Sequence, residues 1–213
     1  MANDLETLRY SDYVRYRRIL QLATQALLSH GYAGTCVEDI ANDANVSKVT
    51  VYRLFEDKLG LAADVLRDLS NSLEMHFRDT LDMSLPLEEC LVQFGVTYVR
   101  WMIQNIGTTH RYGITRLLIE MAGSHSELAS IWTETHNKVV FYPLSQYFAK
   151  RAEAGELSKE EDPLFVAIQF ILGFINIPTL ILVKEGQIIG YDVAQIQPLV
   201  KRKVRLFLRG CLS

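Results

Sequence analysis

A short stretch of this chain gathers Lys48, Val49, Thr50, Tyr52, Arg53 and Lys58. Cations, a hydroxyl, a phenol and a branched apolar group on one surface are the mixture that grips phosphates and reads base edges. An Arg53 guanidinium can address guanine O6 and N7, and Val49 can touch a thymine methyl. Thr50, Tyr52 and the Lys48 and Lys58 ammonium groups suit phosphate oxygens, as do backbone amides at the helix starts. Enzyme chemistry has no such foothold. There is no G-x-S-x-G, H-E-x-x-H, glycine-rich phosphate loop or dinucleotide fingerprint, so no catalytic residue and no cofactor is assigned. None of the 5 histidines lies within four residues of another, and the 3 cysteines, Cys36, Cys90 and Cys211, form no C-x-x-C. Neither a metal site nor a disulfide framework is expected, and a reducing, cytoplasmic setting fits.

Positioning that mixture requires a helix with a sharp turn ahead of it. Apolar residues at three and four spacing, Ile19, Leu22, Ala23, Ala26 and Leu27, predict a helix from Asp12 to His30, closed by Gly31. Thr35 with Glu38 reads as a capping box opening a short helix from Cys36 to Asp43. Asn45 stands where the chain must turn, and asparagine tolerates a left-handed backbone. Ser47 is the natural N-cap of a third helix, Lys48 to Leu54, with Val51 and Phe55 inward and the candidate DNA-reading residues outward. Arg15, Arg17 and Arg18 sit where cations oppose the helix dipole; they read either as phosphate contacts or as a solvated face.

The run from Thr35 to Lys58, TCVEDIANDANVSKVTVYRLFEDK, resembles the helix-turn-helix of the tetracycline-repressor (TetR) family of bacterial transcription regulators. Ile40, Ala41, Ala44, Val46, Ser47, Thr50, Tyr52, Phe55 and Lys58 carry the likeness. Asn45 replaces the usual turn glycine, and Val49 the usual small residue, so the bases read must differ. The resemblance implies a head at residues 1–60 whose DNA contacts are Thr35, Ser47, Lys48, Val49, Thr50, Tyr52, Arg53 and Lys58, flanked by Arg15 and Arg18. It also implies a helical ligand-binding and dimerisation domain over residues 61–213.

Helical punctuation continues to the C-terminus, giving an all-α chain of about nine helices. A helix starts near Lys58 after Asp57, another follows Pro86, and a third ends near Gly123. Ser124 with Glu127 forms a second capping box before a long helix to Gly155 that must bend near Pro143. Asp162 and Pro163 open an apolar helix stopped by Gly186, and Asp192 caps the last helix. The apolar run from Leu164 to Val183 reads either as a membrane segment or as a buried interface helix. Pro178 interrupts it and no Lys/Arg asymmetry flanks it, so no membrane partner is expected.

Phe94, Tyr98, Trp101, Met102, Leu117, Met121, Trp132 and His136 recur at helical spacing and read either as core or as a ligand pocket. The resemblance implies a pocket for a small, mostly apolar effector lined by these residues with Arg116, Glu120, Phe170 and Phe174; Arg116 and Glu120 alternatively read as an i, i+4 helix ion pair. It further implies a homodimer interface through Gln169, Asn176, Ile177, Leu180, Val204 and Leu208, and release of a repressor from a palindromic DNA operator by the effector. The formal charge of −3, from 22 Lys+Arg against 25 Asp+Glu, taken alone argues against a nucleic-acid partner. Placement decides otherwise, because Lys48, Arg53 and Lys58 fall on or beside one surface.

Overall fold

Helix-forming periodicity closed by local caps organises most of the chain. The structure, a computed structural model, describes residues 10–77, 80–106, 113–175, 182–184, 187–189 and 196–211. Its elements are α1 (Tyr10–Gly34), α2 (Val37–Asp43), α3 (Lys48–Phe55), α4 (Lys58–Phe77), α5 (Leu87–Ile106), α6 (Gly113–Ser124), α7 (Ser126–His136), α8 (Tyr142–Glu153), α9 (Pro163–Ile175) and α10 (Ile196–Cys211). A π-helical turn, Asn137–Phe141, joins α7 to α8, so these run as one rod and the described residues form nine helical rods. The architecture is all-α. One short antiparallel hairpin interrupts it, β1 (Leu182–Lys184) pairing with β2 (Gln187–Ile189).

Compactness divides the chain into two units, Met1–Leu69 with Tyr112–Trp132, and Ser70–Arg111 with Thr133–Ser213. The first unit thus holds the N-terminal helices together with α6 and the start of α7, and extends beyond residue 60. Its core is Ile19, Leu20, Ala23 and Leu27 of α1, Ile40 and Ala41 of α2, and Val51, Leu54 and Phe55 of α3, all buried. The larger of these side chains, the alanines aside, contribute roughly 1.5–3 kcal/mol each on burial. The Tyr16 ring stacks on Phe55 at 4.8 Å, and its hydroxyl donates to Asp64 Oδ2 at 3.0 Å. In the second unit, Phe94, Phe148, Phe170 and Phe207 interlock α5, α8, α9 and α10, with ring centroids 5.0–6.3 Å apart.

Caps that depend on neighbouring residues form as expected. The Ser47 Oγ accepts from Thr50 N at 3.2 Å, Asp57 Oδ1 from Gly60 N at 2.7 Å, and Asp162 Oδ1 from Phe165 N at 2.9 Å. The bend expected near Pro143 is taken up just before it. Proline supplies no amide and crowds the carbonyl of the preceding turn; the helix widens so that Tyr142 N reaches back to the Asn137 carbonyl.

Three local expectations are corrected. Thr35 does not cap α2: it is buried, its hydroxyl donates to Gly31 O at 2.7 Å, and the N-cap position is Cys36 without a side-chain cap. Ser124 lies inside α6, with its hydroxyl donating to Glu120 O at 3.2 Å, so α7 opens at Ser126 without that capping box. The apolar helix ends at Ile175, not Gly186, because Leu182–Lys184 is a strand. No helix among the described residues is long and apolar enough to cross a membrane.

Candidate nucleic-acid interface

The turn ahead of α3 is made by Asn45 at φ 55°, the left-handed conformation that its short polar side chain tolerates. Val46 N then bonds back to Ala41 O at 3.0 Å, which fixes where α3 starts. Val51, Leu54 and Phe55 anchor the inner side of α3. The opposite side is left to solvent: Val49 is 77% exposed and Tyr52 37%, with Lys48 and Arg53 exposed beside them. An exposed valine between cations has no packing role, whereas a thymine methyl would cover it.

The cations on this surface are not bare. Arg53 Nη2 and Nη1 donate to the Asp12 carboxylate at 2.9 and 3.3 Å, and Arg15 Nη1 donates to the same group at 3.2 Å. The Arg53 guanidinium holds the Asp12 carboxyl below the usual carboxylate range, and Asp12 in turn raises Arg53. Lys48 is paired with Glu38 of α2, whose carboxyl is lowered by that hydrogen bond. Arg18 Nη2 donates to the Asp43 carbonyl at 3.2 Å, closing the C-terminal end of α2. Lys58 is half-buried, its Nζ 3.4 Å from Ala33 O and 4.7 Å over the Tyr32 ring.

Residues 19–65 match the family model described as bacterial regulatory proteins, tetR family. The chain is similar to that family over α1 from Ile19, α2, α3 and the start of α4. It is similar to an uncharacterised HTH-type transcriptional regulator, YvkB, of Bacillus subtilis, 36% identical over 81 residues, 36% of this chain and 43% of that protein. The match thus spans less than half of that relative's length. The whole fold is similar to the crystal structure of a tetR-family regulator from Mesorhizobium loti, with TM-score 0.69 and 23% identity, covering 96% of this chain and 100% of that one. It is also similar to AibR, solved with isovaleryl coenzyme A and operator DNA, with TM-score 0.67 and 20% identity over 88% of this chain and 96% of that one.

The residues expected around an effector fall into both compact units. Phe94, Tyr98, Trp101, Met102, His136 and Phe170 belong to the second unit and are buried there. Tyr98 and His136 form a buried polar pair, hydroxyl to Nε2 at 3.1 Å, and burial pushes the imidazole down to about 4. Trp101 Nε1 donates to Ser72 Oγ at 3.1 Å. Arg116, Leu117, Glu120, Met121 and Trp132 belong to the first unit instead. Arg116 is exposed and donates to Leu28 O at 3.0 Å, while the Glu120 carboxylate accepts from Tyr32 N at 2.9 Å and Ala33 N at 2.5 Å. These two side chains therefore clamp the end of α1. The side chain of Phe174 lies outside the described residues.

For the expected interface, Gln169 is exposed on α9, in line with Phe165 and Leu172. Val204 and Leu208 are buried in the chain's own core, one turn apart on the inward stripe of α10 with Ile196 and Val200. They are thus unavailable to a second copy. Asn176, Ile177 and Leu180 lie outside the described residues.

Sequence reasoning missed Asp12 and Glu38 as partners of Arg53, Arg15 and Lys48. Asp12 carries only the local signal of an acid in a first helical turn, which the helix dipole already explains.

Proposed function

We propose that this protein is a transcriptional regulator of the tetR family, a homodimeric repressor that binds a palindromic operator through α3 and is released by a small, mostly apolar effector. The observation that carries the reading is the outer side of α3, where an exposed Val49 sits among Lys48, Tyr52 and Arg53 while Val51, Leu54 and Phe55 anchor the inner side. Arg53 and Val49 read base edges. Ser47, Lys48, Thr50 and Tyr52 hold phosphates, with Arg15, Arg18 and Lys58 at the margins. Thr35 is left out, because its hydroxyl is spent on Gly31 inside the fold.

Dimerisation is supported by an apolar stripe left open on α9. Phe165 is 51% exposed and Leu172 47%, and with Gln169 they follow the spacing of a helix contact face. Two heads about 34–36 Å apart would meet successive major grooves. An apolar effector is supported by the aromatic interior of the second unit, where the Tyr98 and His136 pair is the polar group able to orient a ligand. The similar AibR was solved with an acyl coenzyme A and operator DNA, which favours the same division of labour here.

Selection of bound duplexes from a random pool supplies the operator, after which two substitutions separate the roles. Arg53→Ala should relax preference at one base pair of each half-site, costing roughly 1–3 kcal/mol at that position. Lys48→Ala should weaken all sequences alike and flatten the salt dependence. Equal loss from both with unchanged preference would refute the assignment.

A further inference from the structure

The acids beside α3 are the feature that DNA reading leaves unexplained. Asp12 comes from the first turn of α1 and Glu38 from the first turn of α2, yet they capture cations at the two ends of α3. One carboxylate, that of Asp12, holds both Nη atoms of Arg53 and one of Arg15, and it sits deeper than either, with side-chain exposure of 16% against 52% and 51%.

We propose that Asp12 and Glu38 mask the reading cations of the free head, so that DNA must displace two of the protein's own carboxylates to reach Arg53 and Lys48. This rests on α3 being the DNA-reading helix. A carboxylate and a phosphate present the same kind of anionic oxygens to a guanidinium, so each competes for the hydrogen bonds of the other. The terminal N–H groups given to Asp12 are those that a guanine edge or a phosphate would take. Masking two cations from two different helices is a matter of charge, not of shape: residues 1–60 carry as many acids as bases, and one more. A buttress that merely aimed Arg53 would require neither the second pair on Lys48 nor the capture of Arg15. The consequence is a ceiling on affinity for DNA of any sequence, which keeps random DNA from retaining the protein.

Fluorescence anisotropy of the full chain on a duplex of random sequence, across a salt series, tests this. Asp12→Asn should bind about two- to fivefold tighter than wild type at low salt, the upper part of the range that exposed ion pairs command, with a steeper salt dependence. Glu38→Gln, on another helix, should shift affinity the same way and stands in if Asp12→Asn disturbs α1. Placing Asp12→Asn in an Arg53→Ala background should remove most of the gain. Random-duplex binding by both variants no tighter than wild type, with unchanged melting, overturns the masking while leaving DNA binding intact. Failure of the wild type to bind any duplex in a salt-dependent way overturns the DNA reading itself, and the masking with it.

Discussion

At the scale of single residues, His136 makes the sharpest prediction outside the DNA face. Its imidazole titrates at about 4 in the folded chain against 6.5 ordinarily, because burial disfavours the charged ring. Between those values the unfolded chain binds the proton and the folded one does not, so stability is complete above about 6.5 and drains away as pH falls toward 4. By pH 5 the loss should reach roughly 2 kcal/mol, visible as a lower midpoint in thermal melts run from neutral to mildly acidic pH. His136→Gln should flatten that dependence; a wild-type midpoint indifferent to pH over the window would count against a neutral buried imidazole. The buried Tyr98 and His136 pairing was not legible in the sequence, since it joins residues far apart in the chain, and the same holds for Asp12 with Arg53. The outward placement of Lys48, Val49, Tyr52 and Arg53 was legible. Their exposure follows from helical period alone once Val51 and Phe55 are fixed inward.

At the scale of elements, local caps were readable and long-range ones were not. Ser47, Asp57 and Asp162 each bond an amide within three residues, which spacing reveals. Thr35 had the same local pattern, but its hydroxyl found a carbonyl at the end of α1, where the chain leaves the helix at Gly31 with φ 75° and ψ 179°. That corner is closed by Glu120 from α6, whose carboxylate accepts from the amides of Tyr32 and Ala33. A Cβ on Gly31 would lie 2.5 Å from Glu120 Oε2, in a backbone region that side chains avoid. Gly31→Ala should therefore destabilise the first unit by about 1–3 kcal/mol, and Glu120→Ala by a comparable amount, measured by denaturant unfolding. If Glu120→Ala melts like wild type, the α6 clamp on α1 contributes nothing. The apolar helix was overextended in the sequence reading because hydrophobicity persists through residues that form a strand; composition alone does not register where hydrogen-bonding changes partner.

For the whole molecule, assembly decides whether one head or two meet DNA. The open stripe of Phe165, Gln169 and Leu172 on α9 should form a dimer contact, so Leu172→Lys should shift sedimentation toward the monomer and abolish operator binding at concentrations where wild type binds. A monomeric wild type would remove the basis for paired half-sites. Net charge, which at −3 argued against nucleic acid, describes the molecule poorly because acids and bases are interleaved across the head, with Asp12 and Glu38 set against the cations that count. The central claim is that α3, presented in pairs, reads a specific duplex. Selection of bound duplexes from a random pool by the full-length protein tests it most directly. Recovery of an inverted repeat with half-site centres about one helical turn apart, its preference at one pair per half-site lost in Arg53→Ala, is the predicted result; a recovered pool indistinguishable from the input would contradict it.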